Sequence, residues 1–151
     1  MKIEGEQGRR IAVPPLQWKV VGLAVLTIVA LTVAASFLGE ESTGAANQAV
    51  WYAWLLAAFA VGWKVSRAGV LKAGVLGAVF GFCAEGLLYV VVLAGAYLGV
   101  FGVAVNWALV QPVEVVMSVA VLAGMGAARG AAVAALGALV AVFVGKMKEA
   151  E

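Results

Sequence analysis

Four long apolar stretches separated by short polar breaks organise this chain. The first runs from about Trp18 to Leu38, behind a Pro14-Pro15 pair that interrupts any earlier helix. Trp18 and Lys19 mark its start, and a polar turn, Gly39-Glu40-Glu41-Ser42-Thr43-Gly44, follows it. The second stretch begins near Gln48 and ends at Trp63-Lys64, with Trp51, Tyr52 and Trp54 towards one end and Trp63 at the other. Amphipathic rings favour the boundary between lipid and water, so this spacing predicts a helix anchored at two interfaces.

Residues 73–145 are almost continuously apolar and are interrupted only by Glu85, Asn106, Gln111-Pro112, Glu114 and Arg129. A crossing helix takes roughly 20 residues, with a range of about 17–25, so the region admits two partitions. In one, a helix from about Lys72 to Tyr97 is followed by an interfacial connection over Gly99–Gln111 and a last helix that begins at Pro112. Proline suits the first helical position and Glu114 the first turn. In the other, the region holds three crossings, the last beginning at Arg129-Gly130, for five in all. The expected fold is an all-α, polytopic transmembrane bundle of four spans, with five as the alternative. In the four-span partition the last helix exceeds the bilayer, and must tilt, protrude or kink at Gly124, Gly126 and Gly130.

Composition agrees with lipid as the outer solvent. Of the 151 residues 65% are hydrophobic and 12% are charged, and the mean hydropathy is +1.07. A soluble domain carries about 25% charged residues to cover its surface. The domain reading is a cytoplasmic N-terminal segment over 1–17, one transmembrane domain over 18–146 and a short charged tail over 147–151. The N-terminal segment mixes Glu4 and Glu6 with Lys2, Arg9 and Arg10 and lacks a cleavage site, so the first apolar stretch is expected to stay in place as a helix. Lys64, Arg67 and Lys72 form the most basic loop. Together with Arg9, Arg10 and Lys19 they place that loop and the N-terminus on the cytoplasmic side of the cell membrane.

Small residues fall at helical spacing. Gly74, Ala78, Gly81, Glu85 and Tyr89 share one face of the third span, with Gly77 and Gly95 beside it and Gly99 continuing it. The opposite face holds Phe80, Leu87, Val91 and Leu98, which are expected to meet lipid or a looser contact. Gly130, Ala134, Gly137, Ala141 and Gly145 make a similar ladder on the last span. In lipid such faces let two backbones approach closely, so both predict helix-packing surfaces.

Few residues carry chemistry. The chain has no histidine and one cysteine, Cys83, and it contains no aspartate. That argues against metal sites, His-based catalysis and internal disulfides. The net charge of +2 is spread along the chain and points away from nucleic acid. Neither a catalytic set nor a cofactor site is expected. Glu85 lies thirteen residues from Lys72, about 20 Å along a helix, deep in the hydrocarbon and on the glycine face. A charge there costs about 2.5–3.5 kcal/mol on insertion scales, so it must be paired, protonated or wet. Arg129 reaches a similar depth in the four-span partition, seventeen residues before Lys146, and can meet Glu85 from an antiparallel helix. Gln111, Glu114, Ser118, Met125 and Arg129 form a polar stripe, with Glu114 near the outer surface. Thr27, Thr32 and Ser36 are expected to hydrogen-bond their own backbone.

These features support two functional expectations. One is an ion or small-solute channel or transporter, acting as an oligomer, with Glu85, Arg129 and Glu114 as its intramembrane polar site. The other is a non-catalytic accessory or structural subunit, in which the glycine faces dock partner membrane subunits. An even number of spans returns the C-terminus to the side of the N-terminus. A reporter fused after Glu151 should therefore read out in the cytoplasm; an external C-terminus would require five spans.

Overall fold

A computed structural model of the chain describes residues 15–37, 43–99 and 110–149. They form helices α1 (Pro15–Ser36), α2 (Thr43–Val65), α3 (Val70–Tyr97) and α4 (Pro112–Glu149), with a 3-10 turn, Ser66–Ala68, between α2 and α3. All four helices are long and apolar enough to cross a membrane. The break at Arg129-Gly130 that a fifth crossing requires does not occur, because α4 passes through it as one 38-residue helix. At 1.5 Å per residue this helix is about 57 Å long. Most of the expected connection between Gly99 and Gln111 lies outside the described residues, as do Glu40 and Glu41.

Local chemistry sets the helix ends. Pro112 opens α4 without losing a hydrogen bond, and the Gln111 carbonyl accepts from the amides of Glu114 (3.0 Å) and Val115 (3.3 Å). Gly69 joins the 3-10 turn to α3 at φ +99°, a region where other residues are strained. Its N–H donates to the Ser66 carbonyl at 3.0 Å and its own carbonyl accepts from Ala73 at 3.1 Å. Gly99 ends α3 at φ +69°, its N–H donating to Ala96 at 3.2 Å. This corrects the expectation that Gly99 extends the packing face. It is exposed, and a Cβ there would meet nothing within 4 Å, so it serves as a helix stop.

The main contact is between α3 and α4, which run antiparallel with their backbones touching. A Cβ added to Gly77 would overlap the Gly130 carbonyl, and one added to Gly81 would overlap the Gly126 carbonyl. The reciprocal additions at Gly126 and Gly130 strike the Gly81 and Gly77 carbonyls. On its other flank α4 touches α2, where Gly62 abuts the Ala134 backbone and Gly137 the Phe59 carbonyl. Gly74 lies at the margin, where an added Cβ would meet the Ala131 carbonyl at 3.8 Å and Ala135 Cβ at 4.0 Å, ordinary contact distances, and Gly95 is buried farther along α3. The buried positions of α4 are Ala123, Gly126, Gly130, Ala134, Gly137 and Ala138, every one glycine or alanine. Gly145, the last rung of the expected ladder, is exposed, and a Cβ added there would meet nothing within 4 Å.

Bulk enters the core from the other helices. Val21, Val25 and Ile28 of α1 pack with Ala58, Val61 and Val65 of α2 and with Leu76 and Phe80 of α3. Two expectations are corrected here. Phe80 is fully buried instead of facing outward. Trp54, expected in an outward-facing aromatic belt, is only 2% exposed and sits 5.5 Å from the Phe80 ring. Close packing of α4 turns α3 so that Phe80 points towards α1 and α2. Large apolar side chains also cover the outside of the helices, with Leu23, Leu56, Leu71 and Phe143 all exposed. Helices α1, α2 and α3 alternate in direction, and α4 runs alongside α2, which collects Lys19, Lys64, Arg67, Lys72 and Lys146 at one end.

The glycine contacts lead to a stability prediction. Gly81→Ala and Gly126→Ala force a methyl group into opposing backbone and should each destabilise the bundle by about 1–3 kcal/mol. Gly22→Ala and Gly124→Ala, whose added Cβ meets nothing within 4 Å, should be neutral or stabilising by up to about 1 kcal/mol through helix propensity. Thermal unfolding in a mild detergent checks the contrast, and equal losses at all four sites would remove the packing argument.

Candidate functional site

The backbone contact between α3 and α4 also places the charged residues. Glu85 lies one turn beyond Gly81 on α3, and its side chain lies across Gly126, where an added Cβ would collide with Glu85 Cβ and Cγ. Arg129 is one turn farther along α4, and its Nη1 stands 3.8 Å from Glu85 Oε1. That is an ion pair, too long for a hydrogen bond. In low-dielectric surroundings the attraction of such a pair is far stronger than in water.

The guanidinium is held on its other side by an aromatic ring. Arg129 Cζ lies 5.5 Å from the centre of the Trp51 ring on α2, within range of a cation–π contact. Trp51 stacks on Trp54 at 5.8 Å with 10° between ring planes, and Trp54 meets Phe80 of α3. Glu85, Arg129, Trp51, Trp54 and Phe80 therefore form a circuit through three helices. Trp51 was expected in an interfacial belt; the structure gives it the arginine. A signal for this was present in the spacing: Trp51 stands thirteen residues before Lys64, as Glu85 stands thirteen after Lys72, so the two share a level.

The circuit is not sealed. The Glu85 side chain is 21% exposed and that of Arg129 41%. The arginine borders a recess of about 510 Å³ that is otherwise lined by Trp51, Leu55, Ala132 and Val133. Arg129 thus presents part of a full charge to an apolar outer wall.

The other expected polar residues stay apart from this site. Glu114 is exposed in the first turn of α4, fifteen residues before Arg129, or about 22 Å. Ser118 shares a shallow recess with Tyr89 on α3, and Gln111 and Met125 are exposed. Thr27 donates to the Leu23 carbonyl at 2.9 Å and Thr32 to that of Ile28 at 3.0 Å, within their own helix. Asn106 and Trp107 lie outside the described residues. Among the described residues, no three His, Cys, Asp or Glu side chains converge on a point where a metal could sit. Cys83 is a half-buried free thiol.

No family model matches the chain, and neither a curated protein nor a solved structure is significantly similar to it.

The ion pair gives a double-mutant test. Glu85→Gln or Arg129→Gln alone leaves one charge without its partner and should destabilise by about 2 kcal/mol. This is less than the roughly 3–5 kcal/mol for a fully buried pair, because both groups are partly exposed. The exchange Glu85→Arg with Arg129→Glu should recover part of that loss, giving a coupling energy within about 0.5–3 kcal/mol. Strict additivity of the two changes would mean that the charges do not interact.

Proposed function

We propose that this chain is an integral membrane protein whose four helices cross the cell membrane with both termini in the cytoplasm. On this reading it acts as a non-catalytic subunit of a larger membrane assembly. The basic end formed by Lys19, Lys64, Arg67, Lys72 and Lys146 supports the orientation. The observation that carries the subunit reading is the outward exposure of Arg129, halfway along α4 and beside an apolar recess. A charge facing hydrocarbon at mid-depth costs at least about 2.5–3.5 kcal/mol, and with Glu85 and Trp51 both in contact the Arg129 side chain is still 41% exposed. A helix from a second copy or from another membrane subunit, offering a carbonyl or carboxylate oxygen, would cover the rest. The closeness of α3 and α4 also favours assembly, since touching backbones leave no room for a path between them.

A second reading is supported by the partial exposure of Glu85. Its 3.8 Å separation from Arg129 leaves the carboxylate without a hydrogen bond from it, and an exchangeable carboxylate suits an ion- or proton-coupled transporter. Mutation separates the two. In a subunit, Arg129→Gln should weaken the native oligomer or complex, seen by crosslinking in membranes, while Glu85→Gln in an intact assembly leaves ion flux unchanged. Lost flux on Glu85→Gln with assembly intact would favour transport instead.

A further inference from the structure

A second recess lies at the basic end, between helices that stand apart. Helix α1 contacts α2 and α3 but not α4 among the described residues. The gap between α1 and α4 is about 980 Å³, with the end of α2 as its floor. Its walls are apolar: Val20 of α1 faces Ala141, Val142 and Gly145 of α4 across Val65. Its mouth is polar and cationic, formed by Lys64, Ser66 and Arg67. Neither Lys64 nor Arg67 pairs with a carboxylate among the described residues, where the single ion pair is Glu85–Arg129.

A second observation falls in the same place. Gln17, one turn before Val20, lines the recess, and its Oε1 is buried without a hydrogen-bond partner. A buried amide oxygen without a donor costs about 1–3 kcal/mol, so a group that carries a hydroxyl and a negative charge would find in the recess both an acceptor for its O–H and two cations. Hydrated phosphate alone would answer the cations and leave the apolar walls facing water. An apolar helix would fill the walls and leave Lys64 and Arg67 unmatched.

We propose that this recess binds an anionic phospholipid with a hydroxyl-bearing headgroup, the phosphate on Lys64 and Arg67, a headgroup hydroxyl donating to Gln17 Oε1 and one acyl chain between α1 and α4. Basic pockets between helices on the cytoplasmic side are suited to anionic headgroups, and the small side chains of Ala141 and Gly145 keep the slot open. Trp63 at the rim is placed at headgroup level. The proposal rests on the four helices crossing a membrane, and extraction separates that premise from the lipid site. A protein released from membranes by alkaline carbonate would fail the premise, whatever lipid it binds.

The test uses the full chain, purified in an uncharged detergent and titrated with phosphatidylglycerol, phosphatidylcholine or inorganic phosphate. Native mass spectrometry should show one phosphatidylglycerol retained per chain, at least ten-fold more strongly than phosphatidylcholine. The pair Lys64→Gln with Arg67→Gln should reduce that retention at least ten-fold, and Ala141→Trp, which fills the slot and keeps the charges, should reduce it likewise. The pair Lys19→Gln with Lys146→Gln removes the same charge at the same end but outside the recess, and should change retention less than two-fold. Equal loss in both charge pairs would reduce the effect to diffuse attraction and overturn the site. Stabilisation by inorganic phosphate equal to that by the lipid would also overturn it, in favour of a soluble anion.

Discussion

Direct contact between the backbones of α3 and α4 is the constraint from which the other features of this bundle follow. In lipid there is little hydrophobic gain from pressing two apolar helices together, because the tails are as apolar as leucine. What remains is dispersion between closely fitted surfaces, which falls off within an ångström of separation. Gly77 and Gly81 facing Gly126 and Gly130 bring the two helices to their shortest possible distance. Once α4 is fixed there, Gly137 and Ala134 bring it against Phe59 and Gly62 of α2. Helix α4 is therefore a narrow shaft with no bulky core residue of its own, and α1, α2 and α3 supply the volume.

That contact also determines how the chain handles its interior charges. Glu85 lies over Gly126 because no side chain there obstructs it, and Arg129 follows one turn later at the right height. The ring of Trp51 then occupies the far side of the guanidinium. A carboxylate, a guanidinium and an indole from three helices are thereby matched without a buried polar network. The unequal exposure of the pair points outward from α4 and towards α2, away from the close contact with α3. The basic end follows the opposite logic. Lys64 and Arg67 are exposed there, and where α1 stands off from α4 an apolar slot opens beside them.

Much of this was legible along the chain. The length and spacing of the apolar runs admit four or five helices, Pro112 with Glu114 favours the partition in which the last begins there, and the four-residue spacing of small residues identifies packing faces on the third and last helices without naming their partners. The pairing of Glu85 with Arg129 followed from depth counted from Lys72 and Lys146. These features are legible because they depend on quantities local to one helix: rise per residue, turn periodicity and the cost of a charge in hydrocarbon.

The tertiary structure decided which way each helix faces. Phe80 and Trp54 are bulky, apolar and indistinguishable in sequence from lipid-facing residues, and only the rotation imposed by glycine contact turns them inward. Gly99 and Gly81 have the same side chain, yet one stops a helix and the other receives a neighbouring backbone, because one stands beyond the last turn and the other at a crossing. Trp51 was placed on an arginine by the height and angle at which α2 meets α4. In a chain that is apolar on every face, hydrophobicity cannot mark the inside, so the facing of each helix is set by shape complementarity between helices, which the sequence of any one of them does not contain.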